Sequence, residues 1–346
     1  MSTIAIVGAT GFVGTELCLK LLDKGFNLRI LSRHPKEWPL EHQNLKKIKG
    51  DIKNPLIVSE LLEGVDTLYY LVHGLQENER DFEYEETKSA LTVLKSVQEK
   101  KIKNIIYLGG LGPEGNQSPH LRSRHIVGEI LGSGSVPCLE FRASIVLGAG
   151  SLSFEMMKAI AHRLPIRPYA PWLETLCQPI GVDDLMKYLI SALEVKVLRH
   201  QIVEIGSQEV IPYGELLDKL LKMEHLNRPK LLVSKIEPKV MARLIDVVVP
   251  EYAQVGRKLF FSLQYPTVVT TNIASDLFPD ILPESLHDSL LKAKDKSQTH
   301  YPPLWGAEFW KELMEHYQLN PETSKDFVKR TLKKFDLWNK FKGKKS

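Results

Sequence analysis

Residues 4–14 read IAIVGATGFVG. Ile4, Ile6 and Val7 form a short β-branched apolar run, and the pattern then switches to helical spacing at Val13, Leu17 and Leu21. Between the two lie Gly8, Gly11 and Gly14. Three glycines between a strand and a helix let the backbone turn tightly, approach a pyrophosphate and present a helix N-terminus to it. A tight strand-to-helix turn alone would need fewer glycines, so this opening predicts a dinucleotide site at the start of the chain.

The alternation continues outward from that loop. Strand-like runs LRIL, LKKIKGDI, VDTLYYLV, IKNIIYLGG and PCLEFRASIVLG alternate with helical patterns through residue 150. Strand and helix in turn predict a doubly wound α/β fold, a parallel sheet covered on both faces, with ligands beyond the carboxyl ends of the strands. Prolines at 165, 168, 171 and 179 break the rhythm after Gly150. QPIGVDDLMKYLISAL and HQIVEIGS then return to the sheet as a turn, a helix and a strand. The expected organisation is residues 1–150 plus about 178–206 as the Rossmann unit, with 151–177 and 207–325 as a smaller, mostly helical lobe.

About twenty residues beyond the glycines, where a site for NAD offers a carboxylate to the ribose 2′-hydroxyl, the sequence reads LRILSRHPKEW. It holds no acid at the strand end. Ser32 and Arg33, helped by Lys36, suit a 2′-phosphate, because a guanidinium matches phosphate oxygens with paired hydrogen bonds. The expected cofactor is therefore NADP(H) rather than NAD(H). Asp51, in KGDI, is either a contact to the adenine edge or a turn residue.

The 346 residues, 43% of them hydrophobic and 25% charged, suit an ordinary globular protein. Their start lacks the pattern of a signal peptide and no apolar run is long enough to span a bilayer, which points to the cytoplasm. Three widely spaced cysteines make a disulfide framework unexpected, and eleven histidines form neither HExxH nor a Cys/His cluster, so no metal is expected. A net charge of +4 gives no reason to expect nucleic acid. The charge is uneven, however: residues 326–346 hold eight Lys/Arg against two Asp, with Val328, Leu332, Phe335, Trp338 and Phe341 at helical spacing. This basic amphipathic tail either docks on the body of the protein or makes peripheral contact with an anionic membrane.

GATGFVG, LSRHP, GDI, VDTLYYLVHG, IIYLGGLG, SRHIVGEIL, EFRASIVLGAGS and QPIGVDDL, in that order over about residues 3–206, resemble the extended and atypical short-chain dehydrogenase/reductases, NmrA-like NAD(P)-binding proteins above all. Some bacterial members carry names such as nucleoside-diphosphate-sugar epimerase. The resemblance implies that Gly8, Ala9, Thr10, Gly11, Phe12, Val13 and Gly14 wrap the pyrophosphate and that Ser32 and Arg33 meet the adenosine end. It places Val72 and His73 beside the second ribose, and Gly109, Gly110 and Leu111 beside the nicotinamide. Many members have a Ser on strand five, where this chain has glycine.

In active relatives a Tyr four residues before a Lys supplies a proton, and the Lys grips the ribose. Aligned through GEIL, His120 and Arg124 occupy those places. Arg124 keeps a cationic donor but is a poor proton carrier, whereas His120 could transfer a proton near neutral pH or merely begin a helix after Pro119. His73, at the carboxyl end of a strand, is either a ligand contact or a structural imidazole. His73, His120 and Arg124 are thus the candidate catalytic residues. Arg142 faces substrate or pairs with Glu140 or Glu129, and Asp183 and Asp184 cap the helix starting near Leu185. A literal Tyr-x-x-x-Lys at Tyr84 and Lys88 precedes strand five, on the wrong helix, where Tyr84 is expected to pack, the alternative being that its hydroxyl reaches the cleft mouth.

Three functions are compatible with these features. An NADP-dependent oxidoreductase acting on a small, partly apolar substrate needs mainly juxtaposition of cofactor and substrate. A non-catalytic protein reporting NADPH occupancy to a regulatory partner needs no acid. Nucleotide-sugar epimerisation or dehydration leans hardest on the missing Tyr and Lys.

Overall fold

The computed structural model describes residues 2–73, 82–100, 102–115, 117–232, 245 and 248–302. Its centre is a seven-stranded sheet: β1 (Thr3–Val7), β2 (Asn27–Ser32), β3 (Leu45–Lys49), β4 (Thr67–Tyr70), β5 (Asn104–Gly110), β6 (Cys138–Ala143) and β7 (His200–Ile205). The order across the sheet is β7-β6-β5-β4-β1-β2-β3, with every neighbouring pair parallel. The chain winds outward through β2 and β3, then crosses back to β4 on the other side of β1. The strand order therefore reverses between β1 and β4, and the crevice there opens at Gly8 and Leu71.

Both faces of the sheet are buried, and period-two alternation divides the side chains between them. Ile4 and Ile6 point to one face, with Leu17 and Leu21 of α1 (Phe12–Asp23) and Leu185 and Leu189 of α6 (Val182–Ser191). Ala5 and Val7 point to the other, with Val58 of α2 (Pro55–Leu61), Ala90 and Val93 of α3 (Phe82–Gln98) and Val127 of α4 (Pro119–Gly132). Phe278, at the end of a short helix over Ile273–Leu277, also packs on the first face, against Phe141 and Tyr188.

Beyond β6 the chain builds a roof over the strand ends. It consists of α5 (Leu152–Arg163), α7 (Tyr213–Met223), α8 (Ala253–Ser262) and a helix over Leu286–Lys296, tied by short strand pairs such as Arg167–Tyr169 with Lys230–Leu232. Helix α6 starts at Val182 with Gly181 as its N-cap, earlier than the sequence suggested. Asp183 and Asp184 therefore sit in its first turn rather than capping it, where carboxylates complement the helix dipole. Buried Asp184 also accepts the Glu284 N–H at 2.7 Å.

Cys18, Cys138 and Cys177 are buried free thiols, and burial pushes Cys18 and Cys177 up to about 12, which makes them unreactive. Among the described residues no helix is long and apolar enough to cross a membrane. The basic tail lies outside the described residues.

Candidate nucleotide and active site

The glycine loop fits its expected role because side chains are excluded from it. Gly8 has φ +85°, and a Cβ there would lie 2.5 Å from the Leu71 carbonyl group across the β1/β4 crevice. A Cβ on Gly14 would lie 2.2 Å from the Gly8 oxygen, so helix α1 can sit this close to β1 only with glycine. Gly11 is the N-cap of α1. Gly8, Gly11, Phe12, Val13 and Gly14 line one end of a cavity of about 510 Å³, with the N-terminus of α1 beside it. Thr10 is exposed, while Ala9 is buried in the core and offers the loop only its backbone. This cradle suits a pyrophosphate.

At the end of β2, Ser32 is buried and its Oγ accepts the His34 N–H at 3.1 Å, while Arg33 is exposed. Asp51 forms a turn: its Oδ1 accepts the Lys53 N–H at 2.9 Å and its carbonyl the Asn54 N–H at 3.0 Å. The turn reading therefore describes its carboxylate.

The three candidate catalytic residues converge. His73 follows β4, and its ring stacks on His120, near the start of α4, at 4.8 Å between centroids and 14° between planes. Ser118 caps α4 through the Leu121 N–H at 3.2 Å, with Pro119 in the first turn, and this cap sets where His120 projects. His73, His120 and Arg124 all line the cavity. His120 is buried and its Nδ1 has no hydrogen-bond partner among the described residues. Burial, then the neighbouring His73 and Arg124, holds His120 well below the ordinary histidine range. His73 shifts the same way, from burial and the Arg124 charge, although about a third of its side chain is exposed. His120 is therefore neutral at pH 7, which revises the expectation of an imidazole titrating near neutrality.

Arg124 does more than replace a ribose-gripping lysine. Nη1 donates to the Val72 carbonyl at 2.7 Å, Nη2 donates to the Leu108 carbonyl, and the guanidinium lies 5.0 Å from the centroid of the Tyr107 ring. It thus staples the ends of β4 and β5, takes up the Val72 carbonyl, and retains further N–H donors for a ligand. Buried Glu86 of α3 lies behind it, 3.9 Å from Arg124 Nη1 and 3.7 Å from His73 Nδ1, and accepts a hydrogen bond from Ser123. Burial raises Glu86, but the surrounding donors outweigh it and hold its carboxyl at about 2. The lowering comes first from the hydrogen bond with His73, then from the Arg124 charge, with Ser123 adding to it.

The glycines of β5 follow from this packing. A Cβ on Gly110 would meet Leu121 at 3.2 Å and Arg124 at 3.5 Å, and one on Gly109 would meet Tyr107 at 3.1 Å and Glu140 at 3.3 Å. A side chain at either position would need Tyr107 and Glu140, or Leu121, to give by a few tenths of an ångström. Arg142 pairs with Glu140, at 2.7 Å, rather than facing substrate. Tyr84 is mostly exposed, because α3 buries the face carrying Phe82, Glu86, Ala90 and Val93. The expectation that Tyr84 packs is therefore wrong.

Beyond the strand ends the cavity continues under the roof, between α5, α7 and α8. Met157, Ile160, Trp172, Leu217 and Leu259 are typical of its walls. Ser144, Tyr213 and Thr267 supply hydroxyls there. Neither this chamber nor Glu86 was found by sequence reasoning. Glu86 had a signal, an acid breaking the buried stripe 82, 86, 90, 93 of one helix face.

Residues 8–132 match the family model described as NAD(P)H-binding. The chain thus carries an NAD(P)H-binding domain. Among curated proteins, the chain is 25% identical over 134 residues to dihydroflavonol 4-reductase of Gerbera hybrida, covering 35% of this chain and 37% of that protein. It is 33% identical over 70 residues to the 3-beta-hydroxysteroid dehydrogenase of Mycolicibacterium neoaurum, 20% of this chain and 19% of that one. The matches thus span well under half of these relatives. The fold is that of UDP-glucuronic acid 4-epimerase from Bacillus cereus, solved with UDP-glucuronic acid and NAD: TM-score 0.65, 16% identity, 85% of this chain and 98% of that one.

Proposed function

We propose that the protein is an NADP(H)-dependent oxidoreductase acting on a small, largely apolar alcohol or ketone, with His120 at the reacting oxygen. The observation that carries this reading is one continuous cavity, with the glycine loop at one end, an apolar chamber at the other, and a buried imidazole with an unpartnered nitrogen on its wall.

A nicotinamide bound there supplies or takes a hydride. The chain's own residues do the rest. The glycine loop and the α1 N-terminus hold the pyrophosphate, Arg33 with the Ser32 hydroxyl favours a 2′-phosphate, and the remaining donors of Arg124 meet ribose hydroxyls. The aliphatic walls exclude water from the reacting centre, which strengthens each hydrogen bond made there. Neutral His120 accepts the proton of an alcohol as it is oxidised, and must first take up a proton to act as acid in the reverse direction. Alcohol oxidation therefore persists at neutral pH and falls only on acidification below pH 6.5, towards the depressed pKa of His120. The partial relatives named for a dihydroflavonol reductase and a hydroxysteroid dehydrogenase agree with an apolar substrate.

His120→Phe keeps an aromatic ring against His73 and removes the nitrogen. It should lower kcat by about 10²-fold or more, with NADPH still protecting the protein against thermal unfolding. Unchanged turnover in this variant would remove His120 from the chemistry.

A further inference from the structure

The roofed chamber contains a second polar spot, separate from His120. Ser144 Oγ lies 2.6 Å from Thr267 Oγ1, which lies 2.9 Å from the Tyr213 hydroxyl. Thr267 and Tyr213 are buried, and all three residues line the cavity. A hydroxyl both donates and accepts, so a cluster of three in an aliphatic wall can receive a carbonyl or a hydroxyl from a ligand. Tyr213 comes from the start of α7, Thr267 from the stretch after α8, and Ser144 from the end of β6.

Topology places this cluster away from His120. Ser144 is one residue past Ala143, which pairs with Gly110 and accepts the Leu111 N–H at 2.9 Å. His120 stacks on His73, which follows β4. Strand β5 lies between β4 and β6, so the two polar spots are two strand spacings apart, on the order of 10 Å. Most of the other lining residues are aliphatic or aromatic. Among the described lining residues Arg124 carries the sole permanent charge, and the donors left to it beside its two backbone carbonyls are those assigned above to the cofactor ribose. A nucleoside diphosphate entering this chamber would lose its hydration without gaining cationic partners.

Resting on the oxidoreductase reading, we propose that the substrate is an uncharged, rigid, largely apolar molecule with oxygen functions at both ends. One oxygen meets His120, and the other is held by the Tyr213, Thr267 and Ser144 hydroxyls, which position the molecule and take no part in the chemistry.

The test uses the full chain saturated with NADP+ and two naphthalene probes, 6-acetyl-2-naphthol and 2-acetylnaphthalene, followed by their fluorescence. The naphthol should bind about tenfold more tightly than the probe lacking the hydroxyl. Tyr213→Phe should erase that difference while leaving 2-acetylnaphthalene unchanged, and Ile160→Trp, which fills the chamber, should weaken both. Thermal melting with NADP+ shows whether each variant is folded. Equal loss of both probes in Tyr213→Phe, no binding of either probe to the wild type, or displacement of the naphthol by UDP-glucose would overturn the assignment. Repeating the titration with NADPH separates the two readings. Probe binding with the hydroxyl effect but no reduction of the acetyl group supports the assignment and counts against the oxidoreductase. Reduction without the hydroxyl effect overturns the assignment and spares the oxidoreductase.

Discussion

Replacing Glu86 by Gln isolates one charge on which the site depends. The amide keeps the shape of the side chain and can still accept the Ser123 hydrogen bond, but Arg124 loses its anionic neighbour at 3.9 Å and His73 one at 3.7 Å. Arg124 and Glu86 are each 5% exposed or less. Removing one partner of a buried pair costs about 3–5 kcal/mol. Here the cost should fall at or below the low end, about 2–3 kcal/mol, because Arg124 keeps two carbonyl acceptors and the Tyr107 ring. For a chain of 346 residues that corresponds to a fall in Tm of roughly 3–4 °C. The pH dependence has a definite sign. Glu86 is depressed to about 2 in the fold from an ordinary 4.5, so its contribution is complete above pH 4.5 and is lost as pH falls from there through about 2. The wild-type and variant melting curves should therefore differ at pH 7 and converge on acidification. The assay is thermal unfolding by circular dichroism across pH, with an NADPH titration of each form. A variant melting within a degree or two of wild type at pH 7, with unaltered NADPH affinity, would refute the claim that Glu86 holds Arg124 in place.

Other parts of the site allow shorter tests. Gly14→Ala drives a Cβ to 2.2 Å from the Gly8 oxygen, so NADPH affinity should fall at least tenfold and stability by about 1–3 kcal/mol, read by calorimetry and melting; an unchanged affinity would separate the loop from cofactor binding. Arg33→Ala should cut the preference for NADP(H) over NAD(H) by about 1.5–3 kcal/mol, measured as the ratio of the two dissociation constants, and an intact preference would dismiss the phosphate reading. Deleting residues 326–346 should abolish sedimentation with anionic liposomes if the basic tail contacts membranes, whereas absence of sedimentation by the full chain would leave docking on the body of the protein.

The sheet was legible because its signals are local. Ile4, Ile6 and Val7, the glycines after them and the alternating runs that follow each report a short stretch of chain, and a parallel sheet buried on both faces needs such runs. The position of His73 was legible because it follows a strand, and those of His120 and Arg124 because SRHIVGEIL resembles the family's catalytic helix. Their chemistry was not. The depressed pKa of His120 arises from burial, from His73 and from Arg124, of which His73 is brought together with it only by the fold. Tyr213, Thr267 and Ser144 come from three separate elements, the most distant 123 residues apart in sequence, and no spacing rule connects them. Tyr84 misled for a related reason: its apparent helix face includes Leu91, and both project outward while Glu86 takes the buried side.

The most direct test of the account is a crystal structure of the full chain with NADP+ bound. The account expects the pyrophosphate on the glycine loop, the 2′-phosphate at Arg33, and the nicotinamide ring at the mouth of the apolar chamber with His120 Nδ1 facing the space above its reactive carbon. A nicotinamide ring turned to solvent, or a chamber closed off from the glycine loop in the complex, would contradict it.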